Sequence, residues 1–253
     1  MNTIIARFVK FPKRLLFAAP VLLCFFSFAA LLPATAFAAT TTTCAAKDVK
    51  CVIGVGDTLI TNRITSLNNL NTKVTNDHTA MLISDDAASS LQSDIQTNIT
   101  GLNTLKATLD AETDATAARQ DVQKIYTQFR IYAVVLPRDT RRLQMSIEIT
   151  VDSKFTALES PIQQLINNAP ASKQSQLNSL FTDYKAQLAD AEQNIDQAQN
   201  TWPLLTPDSY NNARATYVTN LKNLTTDVKT AHTDLHKAGS DLHQMAQILK
   251  TAI

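Results

Sequence analysis

Glycine is scarce in this chain. Only four occur in 253 residues, Gly54, Gly56, Gly101 and Gly239, far below ordinary usage. No Asn-Gly or Asp-Gly pair occurs, so the strongest local signal for a β-hairpin is absent. The motifs of common enzymes are missing as well. There is no glycine-rich phosphate loop, no Gly-x-Ser-x-Gly elbow, no Cys-x-x-Cys and no cysteine–histidine arrangement. Excess positive charge is lacking too: the chain has 23 basic and 22 acidic residues. Nucleic-acid binding, which needs clustered excess Lys and Arg, has no electrostatic basis.

What is present is a helical rhythm. One apolar run is Leu177, Phe181, Tyr184, Leu188, Ala191, Ile195, Ala198 and Trp202. Another is Tyr217, Leu221, Leu224, Val228, Ala231, Leu235, Ala238, Leu242, Met245 and Leu249. The spacing averages about 3.5 residues, the repeat of helices packed lengthwise against other helices.

Residues 1–39 read as a signal peptide. Arg7, Lys10, Lys13 and Arg14 form a basic start without acids. An apolar stretch from Leu15 to Leu32 follows, then Pro33 and the small-x-small site Ala36-Phe37-Ala38. The rival reading is an uncleaved membrane anchor, for which this stretch is short and interrupted by Pro20. Cys24 lies inside the stretch behind Leu22 and Leu23, which does not suit lipoprotein processing. Processing near Ala39 leaves 19 basic against 22 acidic residues. The expected location is beyond the cytoplasmic membrane: extracellular, cell-surface or periplasmic.

Residues 40–56 read as a Thr-rich tether holding Cys44 and Cys51. Outside the cytoplasm the two thiols are expected to pair. A loop this short contributes on the order of 2.5 kcal/mol in the loop-entropy model. Free or intermolecular thiols come next, and metal last, because no His or further Cys is nearby.

From there the spacing predicts about six helices. The first runs from Asp57 or Thr58 to about Asn76, with Ile60, Ile64, Leu67, Leu70 and Val74 inward. The second starts at the cap Ser84 and carries Leu91, Ile95, Ile99, Leu102, Leu105 and Leu109, with Gly101 marking a close helix approach. The third runs from Asp114 to a stop at Pro137. The fourth is capped by Asp139 or Thr140; at Pro161 either Ser160 caps a fresh short helix with the proline at its first position, or the helix continues with a kink, the reading preferred because the seam keeps its phase. The fifth spans about Ala171 to Thr201, and the sixth runs unbroken from Pro207 to about Lys250, roughly 60 Å. The predicted fold is all-α: an elongated antiparallel bundle, read first as two three-helix units in tandem, 57–137 and 138–253, and second as a single elongated bundle.

The strings Gly56-Asp57-Thr58-Leu59-Ile60-Thr61-Asn62-Arg63-Ile64-Thr65-Ser66-Leu67 and Phe129-Arg130-Ile131-Tyr132-Ala133-Val134-Val135-Leu136-Pro137 resemble uncharacterised secreted helical proteins of ultrasmall, reduced-genome bacteria. The last helix from Ser209-Tyr210-Asn211 onward is similar in style. The resemblance implies a signal peptide, a helical body and an envelope or extracellular location. It implies no activity, and Arg138, Arg141 and Arg142 lie outside it.

Two constellations remain. His232, His236 and His243 fall on one face of the last helix, acceptable geometry for a metal. The glutamate of a zinc-protease helix is absent there, and Lys229 on the same face would repel a cation. Second, Ile131 to Leu136 is apolar all round. Either both halves of the molecule meet there and bury it, or Ile131, Tyr132, Val134 and Val135 form an exposed collar for a partner helix or a membrane surface. The expected function is an exported structural or interaction protein: a spacer, adhesin or assembly component acting through helix faces. It needs no enzyme activity and no cofactor, and its partners are proteins or its own copies; membrane contact is allowed but not required. The alternative is a module binding a small ligand or metal on the last helix.

Overall fold

The structure is a computed structural model that describes residues 44–250. The signal segment 1–39, residues 40–43 of the tether and residues 251–253 lie outside the described residues. Helices dominate, and no strand occurs among the described residues. None of the described helices is long and apolar enough to cross a membrane.

Helix α1 spans Val49–Thr79. It starts earlier than the expected Asp57, so residues 49–56 of the presumed tether are helix. Asp48 caps it, its carboxylate accepting from the Cys51 amide at 3.0 Å. Gly54 and Gly56 therefore sit inside a helix. A Cβ on Gly56 would lie 2.3 Å from Leu109 Cδ2 and 2.9 Å from Val122 Cγ2. The glycine makes room for two neighbouring helices, which outweighs its low helix propensity. At the other end α1 runs through Asn76, Asp77 and His78, where a break is expected from sequence. Asp77 is buried and receives Lys73 Nζ at 2.9 Å, so a polar triplet is accommodated within the helix.

Met81, with φ of 57°, turns the chain. Helix α2 (Asp85–Asp110) follows, capped by Ser84 as expected. The notch predicted at Gly101 receives the Phe129 ring, whose Cε1 would stand 2.7 Å from a Cβ. Helix α3 (Ala115–Lys124) is capped by Asp114. Two π-helical turns succeed it, Ile125–Phe129 and Ile131–Val135, separated by Arg130.

Helix α4 (Leu136–Thr156) begins before Pro137. The proline sits in the first turn, where its missing N–H satisfies nothing anyway. It opens a helix rather than closing one, and the break comes earlier, at Arg130. The second proline correction is similar. The chain does not kink at Pro161; α4 stops at Thr156, and a short α5 (Glu159–Asn167) starts afresh with Pro161 in its first turn. A continuous helix would leave the Ala157 carbonyl without a donor and against the proline ring. The Phe155 carbonyl at this break accepts instead from Leu158 N at 2.9 Å and from the Tyr184 hydroxyl at 2.6 Å.

Helix α6 spans Ala171–Thr201, the predicted bounds, and a 3-10 turn Trp202–Leu204 ends it. The expected single last helix is two: α7 (Pro207–Asn212), with a capping box from Thr206 and Ser209, and α8 (Arg214–Lys250). Ala213, with φ of −143°, separates them. At 37 residues, α8 is about 55 Å long.

The described body, residues 44–250, is one compact unit with three apolar clusters. The first joins α1, α2 and α3 and takes in Leu143 of α4. The second joins α5, α6 and the distal part of α8, with Val151 and Phe155 of α4 against it. The third gathers Val134, Met145, Ala198, Leu205 and the start of α8. Helix α4 thus contributes to all three clusters, and no linker falls at 137/138. Each fully buried leucine, such as Leu67 or Leu102, contributes about 1.5–3 kcal/mol.

Candidate interaction site

The expected collar is the interior of the molecule. Ile131 and Val134 are wholly buried and Val135 nearly so. The segment is apolar all round because it is packed all round, between the first and third clusters. As partner contacts Ile131, Val134 and Val135 are therefore corrected. Only Tyr132 faces outward, 44 % exposed.

The backbone here is unusual. Arg130 holds the left-handed conformation (φ 49°, ψ 36°), which costs a non-glycine residue roughly 1–2 kcal/mol. Specific contacts hold it. Its guanidinium lies 4.6 Å from the Tyr210 ring centre, and Nε donates to Asn211 Oδ1 at 2.9 Å. Asn211 Nδ2 in turn donates to the Thr127 carbonyl at 2.7 Å. The Tyr217 hydroxyl donates to the Ala133 carbonyl at 3.0 Å, and burial pushes its pKa up to about 12. Helix α7, short and set off by the Ala213 break, is the clamp on this junction. The π turns and the strained residue coincide with it, as such irregularities often do at functional positions.

Beside the junction, Arg63 of α1 is buried with its guanidinium 4.9 Å from the rings of both Tyr126 and Tyr132. Its Nη1 donates to the Leu59 carbonyl at 2.9 Å. Tyr132 also shares a hydrogen bond with Ser66 Oγ at 3.3 Å. The two rings are 43 % and 44 % exposed, among the few large apolar side chains so placed. One buried cation thus holds two outward tyrosines. Arg214 adds its guanidinium 5.2 Å from the Tyr210 ring.

Below this surface lies a charged network. Asp139 is completely buried, and Arg138 donates to it through Nε at 2.6 Å and Nη2 at 3.2 Å. Burial raises the Asp139 pKa, opposed by the hydrogen bond from Arg138. Arg142 donates to Asp94 and, at 2.6 Å, to Ser90 Oγ of α2, while its face lies 4.0 Å from the Trp202 ring centre. Arg138 reaches the Leu205 carbonyl at 3.4 Å. These residues tie α2, α4 and the α6–α7 turn together. Trp202, the last residue of the predicted apolar run, is partly buried under Arg142.

The last-helix histidines form no metal centre. His232 Nδ1 is 2.9 Å from Glu148 Oε1 of α4, and that hydrogen bond raises the His232 pKa. His243 lies 2.7 Å from Gln247 Nε2. Among the described residues no three His, Cys, Asp or Glu side chains converge to hold a metal ion. Face position on one helix was a sound inference, but the partner of His232 comes from another helix.

Cys44 and Cys51 are joined in a disulfide. The loop it closes is anchored: Arg119 of α3 donates to the carbonyls of Cys44, Ala45 and Ala46 at 3.2, 3.0 and 3.0 Å. On α4, the Asp152 pKa rises to about 6, chiefly through burial and then through repulsion by Glu192 and Glu159. Its Oδ1 and Gln187 Oε1 are buried without hydrogen-bond partners. The two best-formed depressions, beside Phe181 and along Thr225–Lys237, are shallow and open to solvent.

Sequence reasoning missed Arg63 and Arg130, and it read Asp139 as a helix cap, whereas Asp139 lies buried in the first turn of α4, which starts at Leu136. Arg63 had a partial signal: three residues after Ile60 and four before Leu67, it fits the inward 3-4 spacing as well as Ile64 does. An arginine in the left-handed region leaves no mark in sequence. No family model matches the chain, and no curated protein or solved structure matches it.

Proposed function

We propose that this chain is an exported structural or interaction protein of the bacterial envelope or extracellular space, acting through surfaces on a helical frame. The observation that carries this is the outward tyrosine pair, Tyr126 and Tyr132, fixed by Arg63 beside a strained backbone. Tyrosine and arginine are the side chains that binding surfaces favour, because they bring large rigid area and directed donors. The basic-then-apolar start of the chain with its Ala36-Phe37-Ala38 ending supports export. The long α6 and α8 support a spacer or assembly role.

Fractionation of bacterial cells expressing the full chain with a C-terminal tag tests the reading, combined with proximity labelling from that tag. Recovery in the envelope or medium, with labelled envelope proteins or labelled copies of the chain itself, is the expected result. Retention in the cytosol with cytosolic neighbours overturns it.

A further inference from the structure

The tyrosine–arginine surface has a charge that the body around it does not. Arg63, Arg130 and Arg214 stack on Tyr126, Tyr132 and Tyr210, and among the described residues no carboxylate forms an ion pair with any of the three. The nearest acid in sequence, Asp208 on α7, is engaged by Asn212 Nδ2 at 2.7 Å. Elsewhere arginines 138 and 142 are paired with acids. Yet the described body carries more acidic than basic residues, so cations without acids are a local departure.

The opposite departure occurs on α6. Glu192 and Asp196 stand one turn apart and are both exposed. Glu192 and Glu159 of α5 lie close enough to Asp152 to repel it. Lys185 on the same helix lies 4.8 Å from the Phe181 ring centre, and among the described residues it takes part in no ion pair. Like charges gathered without a counter-charge destabilise the single copy and are relieved by an opposite surface.

Resting on the interaction-protein reading above, we infer that the tyrosine–arginine surface around Arg130 docks the acidic stretch of α6 on a second copy of this chain. The two surfaces differ, so the contact is heterologous and joins copies in series unless the rotation closes. Arg214 is exposed and Arg130 half-buried, so the guanidinium groups stacked on Tyr210 are the ones placed to receive carboxylates, while the buried Arg63 holds the Tyr126 and Tyr132 rings. The exposed rings supply the apolar part of the contact.

The test uses the chain from residue 40 onward, which contains the whole compact unit with its three clusters. Multi-angle light scattering over rising protein concentration is expected to show mass growing beyond one copy, and salt is expected to weaken the growth. Arg214→Glu, at an exposed position, and the pair Glu192→Lys with Asp196→Lys are each expected to weaken association at least tenfold. Their circular dichroism and melting should match the parent, which separates lost docking from lost folding. Mixing the two variant proteins restores oppositely charged pairs and is expected to restore association. A monomer at every concentration overturns the inference, as does association indifferent to both charge reversals. Neither result touches the export reading, which fractionation decides separately.

Discussion

The α1–α2 hairpin and the α6–α8 pair solve the same packing problem with different side chains. The first fills its seam with Leu, Ile and Val and inserts one buried arginine. Its closest approaches are made at glycines, Gly56 against Leu109 and Val122, and Gly101 against Phe129. The second alternates buried alanines, Ala191, Ala198, Ala231 and Ala238, with Phe181, Tyr184 and Tyr217. There the aromatic hydroxyls satisfy carbonyls at helix breaks, Tyr184 at Phe155 and Tyr217 at Ala133. One half is fitted by shape, and the other combines shape with hydrogen bonds that mend interrupted helices.

Predictions test whether this contrast holds, and the largest effect strikes the link between the halves. Arg138→Ala would leave Asp139 buried without its main partner, at a cost of about 3–5 kcal/mol. Denaturant unfolding should show it, and calorimetry should show whether the halves then melt apart. A single transition throughout would mean that α4 couples them without the charged network.

Next is the covalent restraint on the first half alone. Cys44→Ser is expected to lower stability by roughly 2.5 kcal/mol in the loop-entropy model and to free residues 44–47 from Arg119. Hydrogen exchange should report loss of protection at the start of α1 and none in α6 or α8.

Fit by shape can be probed at neighbouring glycines. Gly56→Ala places a methyl against Leu109 and Val122 and is expected to cost about 1–3 kcal/mol. Gly54→Ala meets nothing within 4 Å and is expected to stabilise by up to about 1 kcal/mol. Equal effects at the two sites would refute the notch.

The smallest effect belongs to the second half and depends on pH. Asp152 has a folded pKa raised from 3.8 to about 6, so its contribution is fully present below the unfolded value and is lost as pH rises through about 6. His232, also raised, adds in the same direction, its contribution disappearing as pH rises through its folded pKa. Stability of the wild type should therefore fall as pH rises from about 4 through about 6 by way of Asp152, and further as pH rises through the folded pKa of His232. Asp152→Asn removes the charge from this partly buried position, where Glu192 and Glu159 repel it. It is expected to stabilise by about 1 kcal/mol at pH 8, allowing for solvent screening, and to be nearly neutral at pH 4. Thermal melts at both pH values check this.

Much of the frame was legible because the inward spacing is nearly continuous. Ser84, Asp114, Ala171 and Thr201 mark helix ends where the sequence places them. The failures share a cause: local breaker signals were given priority over tertiary contacts. Gly54 and Gly56 suggested a loop, yet the helix passes through both, and at Gly56 it does so because Leu109 and Val122 need the space. Pro137 suggested a stop, yet it opens a helix. Conversely, the real breaks at Arg130 and Ala213 occur at residues without breaker character. They are maintained by Tyr210 and Asn211, far off in sequence from Arg130. The apolar collar was visible as composition, but only packing decided that it faces inward. The candidate surface was the least legible part, since it is assembled from α1, the π turns, α7 and α8.

Gly56 also bears on alignment. A repetitive seam lets two antiparallel helices slide by one turn with little loss of apolar contact. Such a slip would set Val52 or Ile60 opposite Leu109 and Val122, where not even a methyl fits. The missing side chain therefore acts as a key, admitting one register of the α1–α2 hairpin and rejecting its neighbours.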